Sequence, residues 1–87
     1  MNLENTVELM ISENYKDRFI AEYWQTKIRH DKLKRFIQEI EIAQDYYDGC
    51  GEPVHDCPVE LLREQLYAME EYLDILDKRR IIEEIEF

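Results

Sequence analysis

Val59, Leu62, Leu66, Met69, Leu73 and Leu76 alternate spacings of three and four residues, the period at which a helix lays one narrow apolar seam along a partner. A second series, Leu33, Phe36, Ile37, Ile40, Ala43 and Tyr47, falls on one face of another helix when positions are set about 100° apart. The strong backbone punctuation, Gly49, Gly51, Pro53 and Pro58, lies between the two series, so the chain reads as two helical arms joined by one loop. The pattern predicts a short helix over about 3–11, a long helix over about 12–47, a loop over about 48–57 and a third helix over about 58–84. Ser12 is placed to cap the amide of Asn14 or Tyr15, and Pro58 suits a first helical position with Cys57 near the cap. Ile85, Glu86 and Phe87 read as a fraying end with no glycine stop.

Antiparallel pairing with Leu73 opposite Leu33 sets Met69 by Ile37, Leu66 by Ile40 and Leu62 by Gln44. Continued, this register puts Leu76 by His30 and Arg80 by Thr26, so the seam becomes polar at the open end of the hairpin. Two apolar groups stay unmatched. Phe19, Ile20, Tyr23, Trp24 and Ile28 occupy a face of the long helix turned well away from the seam, and Leu61, Ala68, Tyr72, Ile75 and Ile82 flank the seam of the third helix. Either the N-terminal helix or a second copy of the chain can cover such surplus faces. The predicted architecture is a single all-α domain over residues 1–87, a short N-terminal helix and a long antiparallel hairpin with coiled-coil-like packing, associating as a homo-oligomer.

Composition narrows the class. With 45% hydrophobic and 37% charged residues the chain is too apolar for disorder and too charged for a membrane protein. No basic segment followed by an apolar one marks a leader over Met1 to Ile11, and the expected location is the cytoplasm. A formal charge of −10 opposes direct binding to a nucleic-acid backbone, although it also suits a protein that covers a basic surface. Two cysteines in one loop, Cys50 and Cys57, cannot staple a domain, which fits a reduced compartment.

Candidate chemistry is sparse. Lys16, Tyr23, Lys27, His30 and Lys34 share a helical face, a basic and aromatic strip in an otherwise acidic chain. Lys supplies charge for a phosphate, and the ring of Tyr23 or Trp24 a surface on which a base can stack. Arg80 approaches the same end from the third helix. The competing reading makes Lys27 and Lys34 partners of Asp74, Asp77 and Glu83 in solvated cross-hairpin ion pairs, and His30 a hydrogen-bonded core residue. Cys50, His55 and Cys57 lack the fourth ligand and the close cysteine pair of a zinc site. Glu39 with Glu41, and Glu70 with Glu71, point in different directions on a helix and form no hydrolytic pair. No glycine-rich phosphate loop occurs. The expectation is a binding protein without catalytic residues, metal or cofactor.

The segment from Tyr15 to Trp24, the Lys32-Leu33-Lys34 step, the run from Cys57 to Gln65 and the run from Met69 to Leu76 together resemble a family of small phage and prophage proteins related to a crAss-like phage protein. The resemblance spans about Val7 to Phe87 and carries no catalytic residues across. It implies a phage accessory protein made in a bacterial cytoplasm. Compact phage hairpin proteins of similar architecture include oligomeric sponges for nucleotide alarm signals of bacterial immunity. By that analogy the expected function is capture of a phosphate-bearing nucleotide between helices or subunits. Lys16, Lys27, His30, Lys34 and Arg80 would supply polar contacts, and Tyr23 or Trp24 would stack. The alternatives are an acidic inhibitor or DNA mimic covering a basic host defence nuclease, and a coiled-coil adaptor or structural protein.

Overall fold

The computed structural model describes residues 1–87 as an all-helical chain 50 Å long and 24 by 18 Å across. A 3-10 turn, Glu4–Thr6, leads into one turn of helix, α1 (Val7–Met10); two long helices follow, α2 (Tyr15–Tyr46) and α3 (Val59–Ile82). The short N-terminal element and the two-arm hairpin agree with the sequence reading, with α2 beginning three residues later than expected.

Local chemistry explains that shift. The Asn14 side chain, not Ser12, caps α2, its Oδ1 accepting from the Lys16 amide at 2.9 Å. The Ser12 hydroxyl does accept from the Asn14 amide at 3.1 Å, but it also donates to Asp17 Oδ2 at 2.8 Å, so it ties the preceding turn to the helix. At the other end Pro58 is the N-cap of α3 rather than its first helical residue, because its extended ψ of 141° lies outside the helix. The far end of α2 closes through left-handed Asp48 and Gly49, and the Gly49 amide donates to the Ala43 carbonyl at 2.8 Å.

Only 12 of the 87 residues are buried, so a few contacts must carry the hairpin. They fall into two clusters. Near the loop, Ile37 and Ile40 of α2 meet Val59 and Leu66 of α3, with Leu33, Phe36 and Leu62 packed around them. The cross-hairpin bonds show that the helices are slid relative to the expected register: Arg63 reaches Glu41 and His30 reaches Glu70, where Leu66 opposite Ile40 would have set Glu70 beside Phe36. Toward the open end, Phe19, Leu76 and Ile85 form a second cluster flanked by Ile20 and Tyr23. Leu76, expected beside His30, here packs against Phe19 and Ile85.

The second cluster exists because α3 does not fray. The Ile85 amide donates to the Arg80 carbonyl at 2.8 Å and the Glu84 amide to the Ile81 carbonyl at 3.3 Å, the paired bonds of a Schellman turn. Glu84 takes the left-handed position with φ of 55°, and the reversal drives Ile85 into the core. The unmatched aromatic face of α2 therefore finds much of its partner in the last residues of α3's own strand of chain. The N-terminal segment covers another part: Gln25 Nε2 donates at 3.0 Å to Thr6 Oγ1, which itself donates to the Leu3 carbonyl at 2.7 Å, so buried Thr6 is satisfied.

A left-handed Glu is strained where Gly is not. Glu84→Gly is expected to raise stability by about 1 kcal/mol, since relief of a steric cost of about 1–2 kcal/mol exceeds the added backbone entropy of glycine. Urea unfolding followed by circular dichroism checks this, and a lower midpoint would contradict the strained turn.

Candidate functional site

The residues singled out by sequence do not all converge. Lys16 and Lys34 are exposed and enter no ion pair. Eighteen residues of α2 separate them, about 27 Å at 1.5 Å per residue, too far to touch one small ligand from the same chain. Lys27 is paired along its own helix, Nζ lying 3.2 Å from Asp31 Oδ1, and not across the hairpin to α3. His30 is buried with an acceptor at each nitrogen: Nδ1 is 2.9 Å from Asp31 Oδ1 and Nε2 is 3.1 Å from Glu70 Oε1. Burial pushes the Asp31 carboxyl upward, and hydrogen bonds to His30 and Lys27 outweigh it, leaving the group below its ordinary value.

What does converge is an aromatic and cationic group at the open end. Phe87 folds back over α2, its ring centroid 4.6 Å from Tyr23, 6.2 Å from Trp24 and 6.4 Å from Phe19. Tyr23 and Trp24 meet edge to face at 5.5 Å. The Arg80 guanidinium lies over the other part of Phe87, 4.8 Å from its centroid. Burial, followed by the neighbouring Asp77 carboxylate, holds the Tyr23 phenol above its ordinary value, so it stays a neutral hydroxyl near neutral pH. Tyr23, Trp24 and Arg80 thus stand together, joined by Phe87, and the Lys27 charge acts on Tyr23 from its pairing with Asp31.

Arg80 is the electrostatic peculiarity of this group. Its Nε is 3.4 Å from Asp77 Oδ1, an ion pair by distance, yet the buried N–H makes no hydrogen bond and is the one such side-chain atom in the protein. An open cleft of about 710 Å³ begins at Arg80 and runs along Ile81, Glu84, Ile85, Glu86 and Phe87. Its two glutamates make the far part unsuited to an anion, and Arg80 is the one cation that lines it. Beside it a second network ties the helices: Tyr15 donates to Glu83 Oε1 at 2.9 Å, Arg79 donates to both Tyr15 and Glu83, and the Arg79 guanidinium covers Phe19 at 4.9 Å. The Tyr15 and Arg79 bonds hold the Glu83 carboxyl below its ordinary value.

Sequence reasoning missed Phe87 and Ile85. The available signal was an apolar pair two residues apart just past α3, together with an aromatic face on α2 that lacked a partner.

The loop constellation is a structural clamp. His55 Nδ1 donates to the Cys57 carbonyl at 2.7 Å, its ring meets Phe36 edge-on at 6.2 Å, and its Nε2 is 3.6 Å from Glu52 Oε1. Both cysteines are free and exposed. The bond to the Cys57 carbonyl, opposed by burial and aided by Glu52, holds His55 above its ordinary value of 6.5. A group raised on folding stabilises fully below its unfolded value and loses that contribution as pH rises through the folded one. His55→Ala is therefore expected to lower the melting temperature more at about pH 5.5 than at about pH 8.5. Paired thermal melts check this, and a difference that grows with pH would contradict it.

No helix is long and apolar enough to cross a membrane. No curated protein and no solved structure matches the chain. A protein-family model described as Sequestin matches residues 13–81, which takes in α2, the loop and all but the last residue of α3 while leaving out α1 and the returning tail. That match covers most of the sequence, and the chain belongs to the Sequestin family.

Proposed function

We propose that this protein acts by binding rather than catalysis, sequestering a phosphate-bearing nucleotide signal as a homo-oligomer, in the setting of a phage countering bacterial defence. The observation that carries the reading is the unpartnered Arg80 Nε–H beside a cluster of aromatic rings. A desolvated guanidinium donor is costly to leave unmade and strong when it meets an anion. The exposed remainder of the Arg80 guanidinium is open to a phosphate oxygen, while Tyr23, Trp24 and Phe87 offer ring faces and edges for a base. The family's name denotes sequestering, which agrees with a protein that holds a ligand without turning it over.

The distance between Lys16 and Lys34 favours more than one chain in the working form. Neither lysine has an ion-pair partner, and about 27 Å of helix separates them, so both bear on one anion only if a second copy brings one of them across. Cytoplasmic location follows from the phage setting. The acidic-inhibitor alternative draws on the charge of −10, and it predicts salt-sensitive capture of a basic host protein instead of any small-molecule effect.

Thermal shift with a panel of mono-, di- and cyclic nucleotides tests the proposal. A ligand at about 100 times its dissociation constant adds about 2.7 kcal/mol, about 10 °C or more for a chain of this size. Arg80→Gln, which keeps much of the stem over Phe87, is expected to weaken binding about tenfold or more, the loss of one charge-assisted bond. No shift with any nucleotide, in a sample of confirmed oligomeric state, would overturn the reading.

A further inference from the structure

Leu61, Ala68, Ile75 and Ile82 recur every seven residues along α3. The buried positions Val59, Leu66 and Leu73 have the same period but lie two residues away, about 200° around the helix. The stripe is consequently on the side of α3 facing away from α2. Its members are solvent-exposed, Leu61 by 53%, Ile75 by 55% and Ile82 by 80%, with Tyr72 at 41% along its edge. Nothing in the chain covers them: the 3-10 turn and α1 pack on α2 and do not reach α3. A continuous apolar line about 30 Å long at coiled-coil spacing is built for another helix.

The charges beside the stripe say which helix. Glu64 and Glu71 flank its first half, and Lys78 and Arg79 its second. A parallel copy would set Glu64 on Glu64, Glu71 on Glu71 and Lys78 on Lys78, like against like at every step. An antiparallel copy, with its two-fold axis between Glu71 and Tyr72, brings Leu61 level with Ile82 and the small Ala68 level with Ile75. The same register sets Glu64 within one residue of Lys78 on the same side of the stripe, and the two copies of Glu71 near the axis, while Arg79 stays with Glu83 and Tyr15. It also places Glu60 near Glu83, at the outer ends, where Arg79 already neutralises Glu83. One register thus uses all four apolar positions and sets opposite charges together at two of its three charged levels, where the parallel arrangement has none.

We infer that the outer face of α3 is an isologous dimer surface on which a second copy of this chain packs antiparallel about the Glu71–Tyr72 position. The inference rests on the homo-oligomer reading above and gives it a surface, an orientation and a register. Because the stripe is exposed, Ile75→Glu leaves the monomer core untouched. The wild-type protein is expected at twice the 10.7 kDa chain mass by light scattering at high micromolar concentration, and Ile75→Glu at once that mass with unchanged helical circular dichroism.

Orientation is tested in a Cys50→Ser, Cys57→Ser background carrying either Ala68→Cys or Ile75→Cys. Under mild oxidation a mixture of the two is expected to yield mixed disulfide-linked dimers well above the linked dimers that either forms alone. A monomeric wild type, an Ile75→Glu variant that keeps the dimer mass, or efficient self-crosslinking of Ala68→Cys would each overturn the inference. Nucleotide titration of the same samples separates the two failures. A folded monomer that binds nucleotide refutes this surface alone, whereas a dimer on this surface that binds none refutes the ligand reading alone.

Discussion

Two apolar clusters hold α2 to α3, and the buried His30 ring between them limits how the helices can align. Leucine and isoleucine alone specify alignment loosely, since a slip by one heptad still buries apolar surface. His30 adds a directional requirement, because its two nitrogens must keep Asp31 and Glu70 within hydrogen-bond reach while the ring stays buried. A slipped hairpin would strand that ring and would also separate Arg63 from Glu41 and Tyr72 from Glu22. The loop-side cluster, the polar level and the open-end cluster therefore stand or fall as one arrangement.

With so small a core, the closure of the open end carries unusual weight. Phe19 and Leu76 are among the most completely buried side chains, and each full burial of this kind is worth about 1.5–3 kcal/mol. Their cover comes from Ile85, which reaches them only because Glu84 accepts a left-handed backbone. The same reversal lays Phe87 on Tyr23 and beneath Arg80. Packing and candidate chemistry at this end are consequently one construction. The turn that completes the core also buries the Arg80 Nε–H and leaves it without a hydrogen-bond partner.

The Sequestin match takes in the hairpin and stops short of α1 and the returning tail. The hairpin presents α3 outward with an apolar line, while the segments outside the match pack on α2 or on its aromatic face. The acidic balance has its own place in this picture. Most acidic side chains lie at the surface, so the few cations without partners on α2 stand out against a negative background.

The helix period of the seam, the glycine and proline cluster and the apolar face of the long arm determined the all-helical hairpin and its antiparallel sense. These are local regularities: a period of 3.6 residues and a backbone break depend on neighbours in sequence alone. That the loop-side core would join Ile37 and Ile40 to Leu66 was legible for the same reason, but the register was not, and His30 reaches Glu70 where the seam had set Leu76. The open end was not, because its outcome turned on a single strained residue. Helix propensity at Glu83 and Glu84 favours a continuing helix, and the burial of Ile85 against Phe19 and Leu76 is what repays the left-handed turn. The basic strip was legible as a face, since angular position follows from numbering. Its division into Lys27 paired with Asp31, a His30 buried between Asp31 and Glu70, and distant Lys16 and Lys34 was decided by distances between helices and along them, which a helical wheel does not contain.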